Sequence, residues 1–281
     1  MNKIESLKEL SSICQKPDYK KVGNWMVRHI LRDAALPITW LLLHTPATAN
    51  QVTLASLVIG LVGIALFAVQ SKAAFVVGVL LLQLWYLLDH VDGQIARYHK
   101  TACLSGRFFD FITHHIIHGV IFFSLGVYCF RLTAQFYFIF WGFLTSASMF
   151  LFNLINDTKY KTFFEKLMTG KNISIRTQEK FLETQKHLSA VRKIFSIMHK
   201  ISEIHVCMNI ISLAAILEII FSPLHTLRLF LFLAYGLIVP SIAIVKVSYL
   251  IVGRKIDEEF IRTFTLDPSP ELKGSKEPLP F

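Results

Sequence analysis

Apolar residues dominate this chain in long runs that are separated by shorter polar stretches. Six runs are candidates for membrane-crossing helices, since about 20 apolar residues span a bilayer. We place them near 51–70, 73–88, 108–130, 133–153, 206–221 and 227–252. The second run is short, and we expect its helix to continue into the polar stretch that follows. The pattern therefore predicts an all-α fold, a polytopic membrane protein with six transmembrane helices.

Residues 25–44 precede the first run and mix charged with aromatic side chains. Arg28 and Arg32 interrupt the apolar positions, and Trp25 and Trp40 flank them. Such a mixture is typical of a helix that lies in the membrane interface, with its Trp side chains at the headgroup level. We therefore predict an N-terminal interfacial amphipathic helix.

Composition supports membrane insertion and bears on the partners. The 281 residues are 53% hydrophobic and only 17% charged, whereas soluble domains carry about a quarter charged residues. The net charge of +10 could suggest nucleic-acid binding. However, the basic residues flank apolar runs, which is the pattern of contact with an anionic leaflet. We expect membrane lipids as partners, and no nucleic acid.

The basic residues also predict the orientation. Residues 157–202 carry ten Lys or Arg, and residues 1–32 and 97–107 are basic as well. The loops on the opposite side offer about one each, namely Lys72, Arg131 and Arg228. By the positive-inside rule, both termini and the polar stretch after the second run face the cytoplasm.

These features divide the chain into five segments. The stretch 157–202 is too long for a bare loop, and its apolar residues recur at helical spacing: Leu167, Phe181, Leu182, Leu188, Val191, Ile194 and Phe195. The predicted segments are 1–44 (cytosolic arm and interfacial helix), 45–156 (transmembrane helices 1–4), 157–202 (basic cytosolic helical insertion), 203–253 (transmembrane helices 5–6) and 254–281 (cytosolic tail).

Charged residues break the apolar background most strongly between Leu87 and His118. Asp89 and Asp92 are three residues apart and share one face of a helix. The next helix carries residues spaced by four along one stripe: Gly106, Asp110, His114 and His118. Charge at membrane depth is costly and marks a functional site. If the two helices pack with these faces together, three carboxylates and an imidazole converge.

This set of side chains predicts a divalent metal site. Carboxylate oxygens suit hard cations such as Mg²⁺ or Mn²⁺, and one imidazole is compatible with Mn²⁺. A bound cation would also remove the repulsion among the three carboxylates. Gly93 and Gly106 leave room for a ligand near the backbone, and Arg97 could bind a phosphate in a bidentate manner. We therefore predict a metal site that takes a phosphate-bearing substrate.

The string Asp89-x2-Asp92-Gly93-x2-Ala96-Arg97-x8-Gly106-x3-Asp110 resembles the signature of the CDP-alcohol phosphotransferase (CDP-alcohol phosphatidyltransferase) family. Seven fixed positions at fixed separation make the likeness specific. It implies a six-helix membrane enzyme of phospholipid biosynthesis that displaces CMP from a CDP-linked donor with the hydroxyl of an alcohol acceptor. It also implies a divalent metal and a homodimer formed through the membrane helices. The likeness extends over most of 25–252, with 157–202 and the tail outside it.

The resemblance assigns roles to individual residues. The metal would be held by Asp89, Asp92, Asp110 and His114, and the catalytic residues would be Asp110 and His114. The CDP pocket would be lined by Asn50, Thr53, Asp92, Gly93, Ala96, Arg97 and Gly106. Asn50 and Thr53 also resemble the family's entry into the first transmembrane helix, although they could equally cap that helix.

His114 departs from the family pattern, which has a fourth aspartate at this position. No Asp or Glu occurs between Asp110 and Asp157 to take its place. Imidazole has an ordinary pKa near 6.5 and can act as a general base, but it is a poorer ligand for Mg²⁺. Our hypothesis is an active enzyme with His114 as the base and a metal site that is weaker or shifted toward Mn²⁺. The rival hypothesis is a degenerate member that binds a CDP compound without turnover.

Other functions remain open from the sequence. Within enzymes, the donor could be CDP-diacylglycerol, or a soluble CDP-alcohol such as CDP-choline with a lipid acceptor. A transporter or cation channel with an Asp/His pathway is a different class. Against it, the polar groups cluster at one membrane face rather than along a path. A third class is a non-catalytic lipid-binding or assembly protein.

Overall fold

The computed structural model describes residues 5–15, 21, 24–169, 173–175, 197, 200–221 and 227–266. The chain forms two compact units. The first comprises Met1–Ala147 and Ser202–Leu237, and the second comprises Ser148–Ile201 and Ile238–Phe281. Each is described by itself below.

The described part of the chain is almost entirely helical, and its elements follow one another in this order. The helices are α1 (Leu7–Cys14), α2 (Arg32–Leu42), α3 (Ala49–Phe67), α4 (Lys72–Tyr98), α5 (Leu104–Thr133), α6 (Tyr137–Thr169), α7 (Ile204–Ile220), α8 (Leu227–Val252) and α9 (Lys255–Thr263). A π-helical turn, Val27–Leu31, leads directly into α2. Two short strands, β1 (Ile173–Ile175) and β2 (Phe264–Leu266), pair in antiparallel fashion.

Five of these helices, α3, α4, α5, α6 and α8, are long and apolar enough to cross a membrane. The prediction of an all-α polytopic membrane protein is therefore confirmed. The remaining predicted span corresponds to α7, an apolar helix of 17 residues. That length is at the lower limit for crossing a bilayer, so the count of six stays a prediction.

Two helices run well past the apolar runs that predicted them. The apolar run at 73–88 does continue into the polar stretch, since α4 extends to Tyr98 and carries both Asp89 and Asp92. Likewise, α6 continues without a break to Thr169, into the segment predicted as a separate insertion. The other apolar positions of that segment, residues 181–195, and the tail beyond residue 266 lie outside the described residues.

Glycines allow the membrane helices of the first unit to approach each other closely. A Cβ atom added to Gly63 of α3 would lie 2.8 Å from the carbonyl oxygen of Gly78 in α4. In the same way, a Cβ atom on Gly126 of α5 would lie 2.8 Å from Cα of Gly142 in α6. Small residues at such crossings stabilise membrane helix pairs through backbone contact. The helix that carries Asp89 and Asp92 is thereby held tightly against α3.

A buried ion pair joins α7 to α8 near the first residues of α4. The Arg228 guanidinium donates from Nε to both Glu218 carboxylate oxygens at 2.9 and 3.0 Å. It also lies between the rings of Phe75 and Tyr128, at 4.3 and 4.4 Å from their centroids. Both charged side chains are buried. Arg228, which the sequence placed in a loop, is therefore an internal residue, because pairing with Glu218 compensates its charge.

The N-terminal arm forms a helix that is packed against the first unit. Ser6 and Glu9 form a capping box at the start of α1. Leu10 and Cys14 are fully buried against α2 and α4. At the beginning of the arm, Glu5 accepts a hydrogen bond of 2.7 Å from the Tyr98 hydroxyl, which lowers the pKa of Glu5. Burial raises the pKa of the Cys14 thiol to about 11.

The second unit contains the end of α6 together with α9 and the strand pair. Phe163 of α6 packs against Phe260 of α9 with ring centroids 5.4 Å apart. Lys159 forms an ion pair of 2.7 Å with Glu259. The strands pair in the register Ile173↔Leu266. The part of α6 beyond the predicted span is thus covered by the segment that follows α8.

The burial of the four cysteines predicts a single reactive thiol. Cys103 is exposed, whereas Cys14, Cys129 and Cys207 are buried. We expect a membrane-impermeant maleimide at pH 7.5 to modify one cysteine rapidly, because only an accessible thiolate reacts. Mass spectrometry should locate the label on Cys103, and Cys103→Ser should abolish it.

The same reagent tests the predicted orientation. Inside-out vesicles should be labelled at Cys103, and right-side-out vesicles should not. Equal labelling from both sides would contradict the cytoplasmic placement, and rapid labelling of Cys14 would contradict the docked arm.

Candidate active site

The two polar faces predicted for neighbouring helices do lie together. Asp89 projects from α4, and its Oδ1 atom is 2.7 Å from Nε2 of His114 on α5. The same nitrogen is 3.4 Å from Oδ1 of Asp110, one turn earlier on α5. The imidazole thus bridges two carboxylates from different helices. Asp89, Asp110 and His114 form one cluster at this helix contact.

Local sequence determines where α5 begins and which of its residues share one face. Cys103 is the N-cap residue of α5, and its sulfur accepts a hydrogen bond of 3.4 Å from the Gly106 amide. Within α5, the spacing of four residues places Asp110 and His114 on successive turns of one face. The His114 ring also contacts the buried Trp85 of α4, with centroids 5.1 Å apart. This contact limits the orientations that the imidazole can adopt.

Asp92 is held by a third helix. Its Oδ2 atom accepts a hydrogen bond of 2.6 Å from the Thr53 hydroxyl of α3, and its side chain is buried. The cap of α3 is Thr48, which forms a capping box with Gln51. Thr53 is therefore not a helix cap. Its hydroxyl satisfies a carboxylate that would otherwise be buried without a partner.

Gly93 leaves room for the Arg97 guanidinium beside the backbone of α4. A Cβ atom on Gly93 would be 3.1 Å from a terminal nitrogen of the Arg97 guanidinium. A larger residue at this position would therefore displace the guanidinium. On its other side, Arg97 donates from Nε to the carbonyl oxygen of Cys14 in the N-terminal arm. The side chain predicted to bind phosphate is thus oriented by α1.

A cavity of about 1170 Å³ lies beside these side chains. Nine of the ten residues predicted for the site line it: Asn50, Thr53, Asp89, Asp92, Gly93, Ala96, Arg97, Gly106 and Asp110. His114 is not among the lining residues, but it contacts two of them, Asp89 and Asp110. The cavity is large enough for a nucleotide and part of a second substrate.

The sequence did not identify several other residues that line this cavity. They come from the arm, α2, α4, the α4–α5 connection and α5, and include Gln15, Arg32, His90, Gln94, His99 and Arg107. Arg32 had been assigned to the membrane interface because it lies in an amphipathic stretch. Helical periodicity shows that a helix has a polar face, but it does not show which neighbour that face meets.

The cluster fits a divalent cation. One ligand atom from each of Asp89, Asp110 and His114 lies within 4.8 Å of the others. Ligand atoms at about 2.1 Å from a cation are about 3 Å apart, so small side-chain movements would complete such a site. The Asp92 carboxylate, also predicted as a ligand, lies outside this group and is turned toward Thr53. Two carboxylates and one imidazole form a donor set that accommodates Mn²⁺ as well as Mg²⁺.

Comparison with known protein families finds a match over part of the chain. Residues 46–181 match the family model described as CDP-alcohol phosphatidyltransferase. The matched region includes every predicted site residue, and it extends into the 157–202 segment that the resemblance had left out. It does not include residues 25–45 or 182–252. No curated protein matches the chain.

The cluster predicts that Mn²⁺ binding depends on Asp110. We expect Asp110→Asn to weaken Mn²⁺ binding about tenfold or more, because a neutral amide replaces an anionic oxygen ligand. The measurement is the electron paramagnetic resonance signal of free Mn²⁺ during titration of the purified protein.

Asp257→Asn is the matched control for this titration. Asp257 is an exposed carboxylate of α9 outside the cavity, and this variant should bind Mn²⁺ like the unmodified protein. Equal affinity of the Asp110→Asn variant would show that the cluster does not bind the ion.

Proposed function

Because the chain carries a domain of the CDP-alcohol phosphatidyltransferase family at residues 46–181, we propose that it moves a phosphatidyl group from a CDP-activated donor to an alcohol and releases CMP. The family supports the broader statement that the protein is a membrane phosphotransferase of phospholipid synthesis. The observation that supports the detailed proposal is the convergence of Asp89, Asp110 and His114 beside a cavity lined by the rest of the motif.

The proposed reaction is a displacement at phosphorus. The acceptor hydroxyl oxygen forms a bond to the β-phosphorus of the donor, and the bond from that phosphorus to the bridging oxygen breaks. CMP leaves with the bonding electron pair, and the hydroxyl proton passes to a base of the protein. Mg²⁺ or Mn²⁺ at Asp89, Asp92, Asp110 and His114 would supply positive charge that stabilises the diphosphate during the displacement.

The other motif residues would bind the donor. Gly93, Ala96 and Gly106 give the cavity a wall with little side-chain bulk, which lets a nucleotide approach the backbone. Arg97 would bind a diphosphate oxygen through its terminal nitrogens. Asn50 lies beside Gly106, with its side-chain oxygen 3.6 Å from the position of a Cβ atom there. Thr53 would act by holding Asp92.

His114 is proposed as the general base, with Asp110 beside it. In the structure, His114 Nε2 faces two carboxylates, so the neutral ring would carry its proton on that nitrogen and its lone pair on Nδ1. To receive a proton through Nε2, the ring must give up its hydrogen bond to Asp89. The alternative is a degenerate member of the family that keeps the pocket and has lost turnover.

Other functions are distinguishable by simple observations. A CDP-choline-type or CDP-ethanolamine-type enzyme would release CMP only when a lipid acceptor is present. A cation transporter would take up Mn²⁺ into vesicles without any nucleotide. A non-catalytic lipid-binding protein would be unaffected by Asp110→Asn. The clustering of the acids at one end of α4 and α5 favours the transferase over a transport path.

The placement in the membrane is part of the proposal. We propose that both termini and the cavity face the cytoplasm, that 157–202 is a cytosolic insertion between the fourth and fifth spans, and that 254–281 is a cytosolic tail. We also propose a homodimer formed through the membrane helices. The asymmetry of the basic residues supports this orientation.

The transferase proposal predicts CMP release by the purified protein. CDP-diacylglycerol and CDP-choline would be supplied separately with Mg²⁺ or Mn²⁺ and a panel of alcohol acceptors. We expect release with one donor class, abolished by Asp110→Asn and retained by Asp257→Asn. Absence of release with every pair, despite stabilisation by CDP, would favour the degenerate alternative.

The base assignment predicts a specific effect at His114. His114→Ala should lower the rate of CMP release by about 10²- to 10⁴-fold, the usual contribution of a positioned base, while binding of CDP remains. Unchanged turnover would exclude His114 as the base. If His114→Asp gains turnover that the native protein lacks, the native protein is degenerate.

A further inference from the structure

Two glutamine side chains converge on one backbone carbonyl at the edge of the cavity. The Gln15 amide nitrogen donates to the carbonyl oxygen of Arg32 at 3.1 Å, and the Gln94 amide nitrogen donates to the same oxygen at 3.0 Å. A carbonyl oxygen has two lone pairs, so both bonds can be made at once. The backbone of Arg32 is thereby fixed to the arm on one side and to α4 on the other.

The Gln94 contact is part of a buried network. Gln94 is 1% exposed, and its side-chain oxygen accepts a hydrogen bond of 2.6 Å from Thr39 of α2. Gln94 lies between Asp92 and Arg97 on α4. The first turns of α2 are therefore held in a fixed position relative to the motif.

The polypeptide just before Arg32 is also unusual. Residues Val27–Leu31 form a π-helical turn, and the Arg32 amide donates to the carbonyl of Val27. A π turn adds one residue to a helical turn and changes the face on which the next residues lie; such turns are frequent at functional sites. Here the turn delivers Arg32 to the cavity.

Arg32 and Arg97 are both part of the cavity wall. The positive charge of Arg32 is close enough to Arg97 and His90 to interact electrostatically with both. The two arginines give this part of the wall positive charge, which favours the approach of an anionic ligand. The arm contacts both residues: the Arg97 side chain donates to the Cys14 carbonyl, and Gln15 donates to the backbone carbonyl of Arg32.

We propose that Arg32 is a second phosphate-binding residue of the donor site, and that Gln15 and Gln94 are its positioning residues. The inference rests on the proposed function, because it takes a CDP compound as the ligand. Arg97 and Arg32 together bind the diphosphate at the cavity wall that both residues line. The N-terminal arm, which lies outside the matched family region, is then a part of the substrate site.

Binding of three ligands to the full-length protein in detergent tests this assignment. CDP, CMP and cytidine share the base and sugar and differ in phosphate, and their affinities can be measured by calorimetry in the presence of Mn²⁺. We expect Arg32→Gln to weaken the binding of CDP about tenfold or more, which is the loss typical of a charged hydrogen bond. The affinity for cytidine should not change. Arg32→Lys should recover part of the CDP affinity.

Two further variants test whether Gln15 positions Arg32 and whether the loss of one positive charge anywhere in the protein affects binding. Gln15→Ala should weaken CDP binding by a smaller factor than Arg32→Gln does, and it should leave the affinity for cytidine unchanged. Arg131→Gln removes an exposed arginine from the last turn of α5, away from the cavity. It should change the affinity for neither CDP nor cytidine.

The outcomes distinguish this inference from the proposed function. If the native protein binds CDP and Arg32→Gln binds it equally well, the donor-site assignment is wrong and Arg32 serves another purpose, such as contact with lipid headgroups. Equal weakening of CDP and cytidine would also overturn it, because the effect would not involve phosphate. If the native protein binds neither CDP nor CMP, the proposed function fails, and this inference fails with it.

Discussion

A carboxylate that is buried among membrane helices requires a partner, and the arrangement around the cavity follows from that requirement. Asp92 obtains its partner from α3, where Thr53 donates a hydrogen bond. Asp89 obtains its partner from α5, where His114 lies 2.7 Å away. Each acid of α4 is thus satisfied by a different helix. The three helices are fixed relative to one another by the same contacts that form the site.

Close packing of the helices makes these short contacts possible. Gly63 and Gly78 bring the backbones of α3 and α4 together, which allows a side chain as short as threonine to reach Asp92. The same rule for buried charge applies at the other end of α4, where Glu218 and Arg228 pair beside Phe75. At this end of α4, the buried charges of Glu218 and Arg228 compensate each other. At the opposite end, carboxylates and arginines lie on the wall of a cavity, where we propose that a diphosphate and a cation bind.

The imidazole at position 114 changes the character of the site. A fourth carboxylate would add negative charge and another oxygen ligand, whereas His114 adds a nitrogen and lies between Asp89 and Asp110 as a hydrogen-bonding group. The His114 ring therefore links Asp89 and Asp110 directly, without requiring an ion between them. This property is compatible with an active enzyme of altered metal preference and with a protein that has kept only the pocket, and the two differ in whether His114 leaves Asp89 during the reaction.

The sequence by itself determined the helices and the chemistry that they carry. Apolar length predicted the membrane helices to within a few residues at most ends, and spacing by three and four placed Asp89 and Asp92 on one face and Asp110 and His114 on another. The tertiary structure decided which distant residues complete that chemistry: Thr53 for Asp92, Glu218 for Arg228, and the arm with Arg32 for the cavity. The physical reason is that periodicity encodes the face of a helix, whereas the neighbour of that face depends on how helices rotate and cross when they pack. The π turn before Arg32 changes the face of the helix on which the following residues lie, and α6 continues past its apolar run. The spacing of apolar residues predicts neither feature.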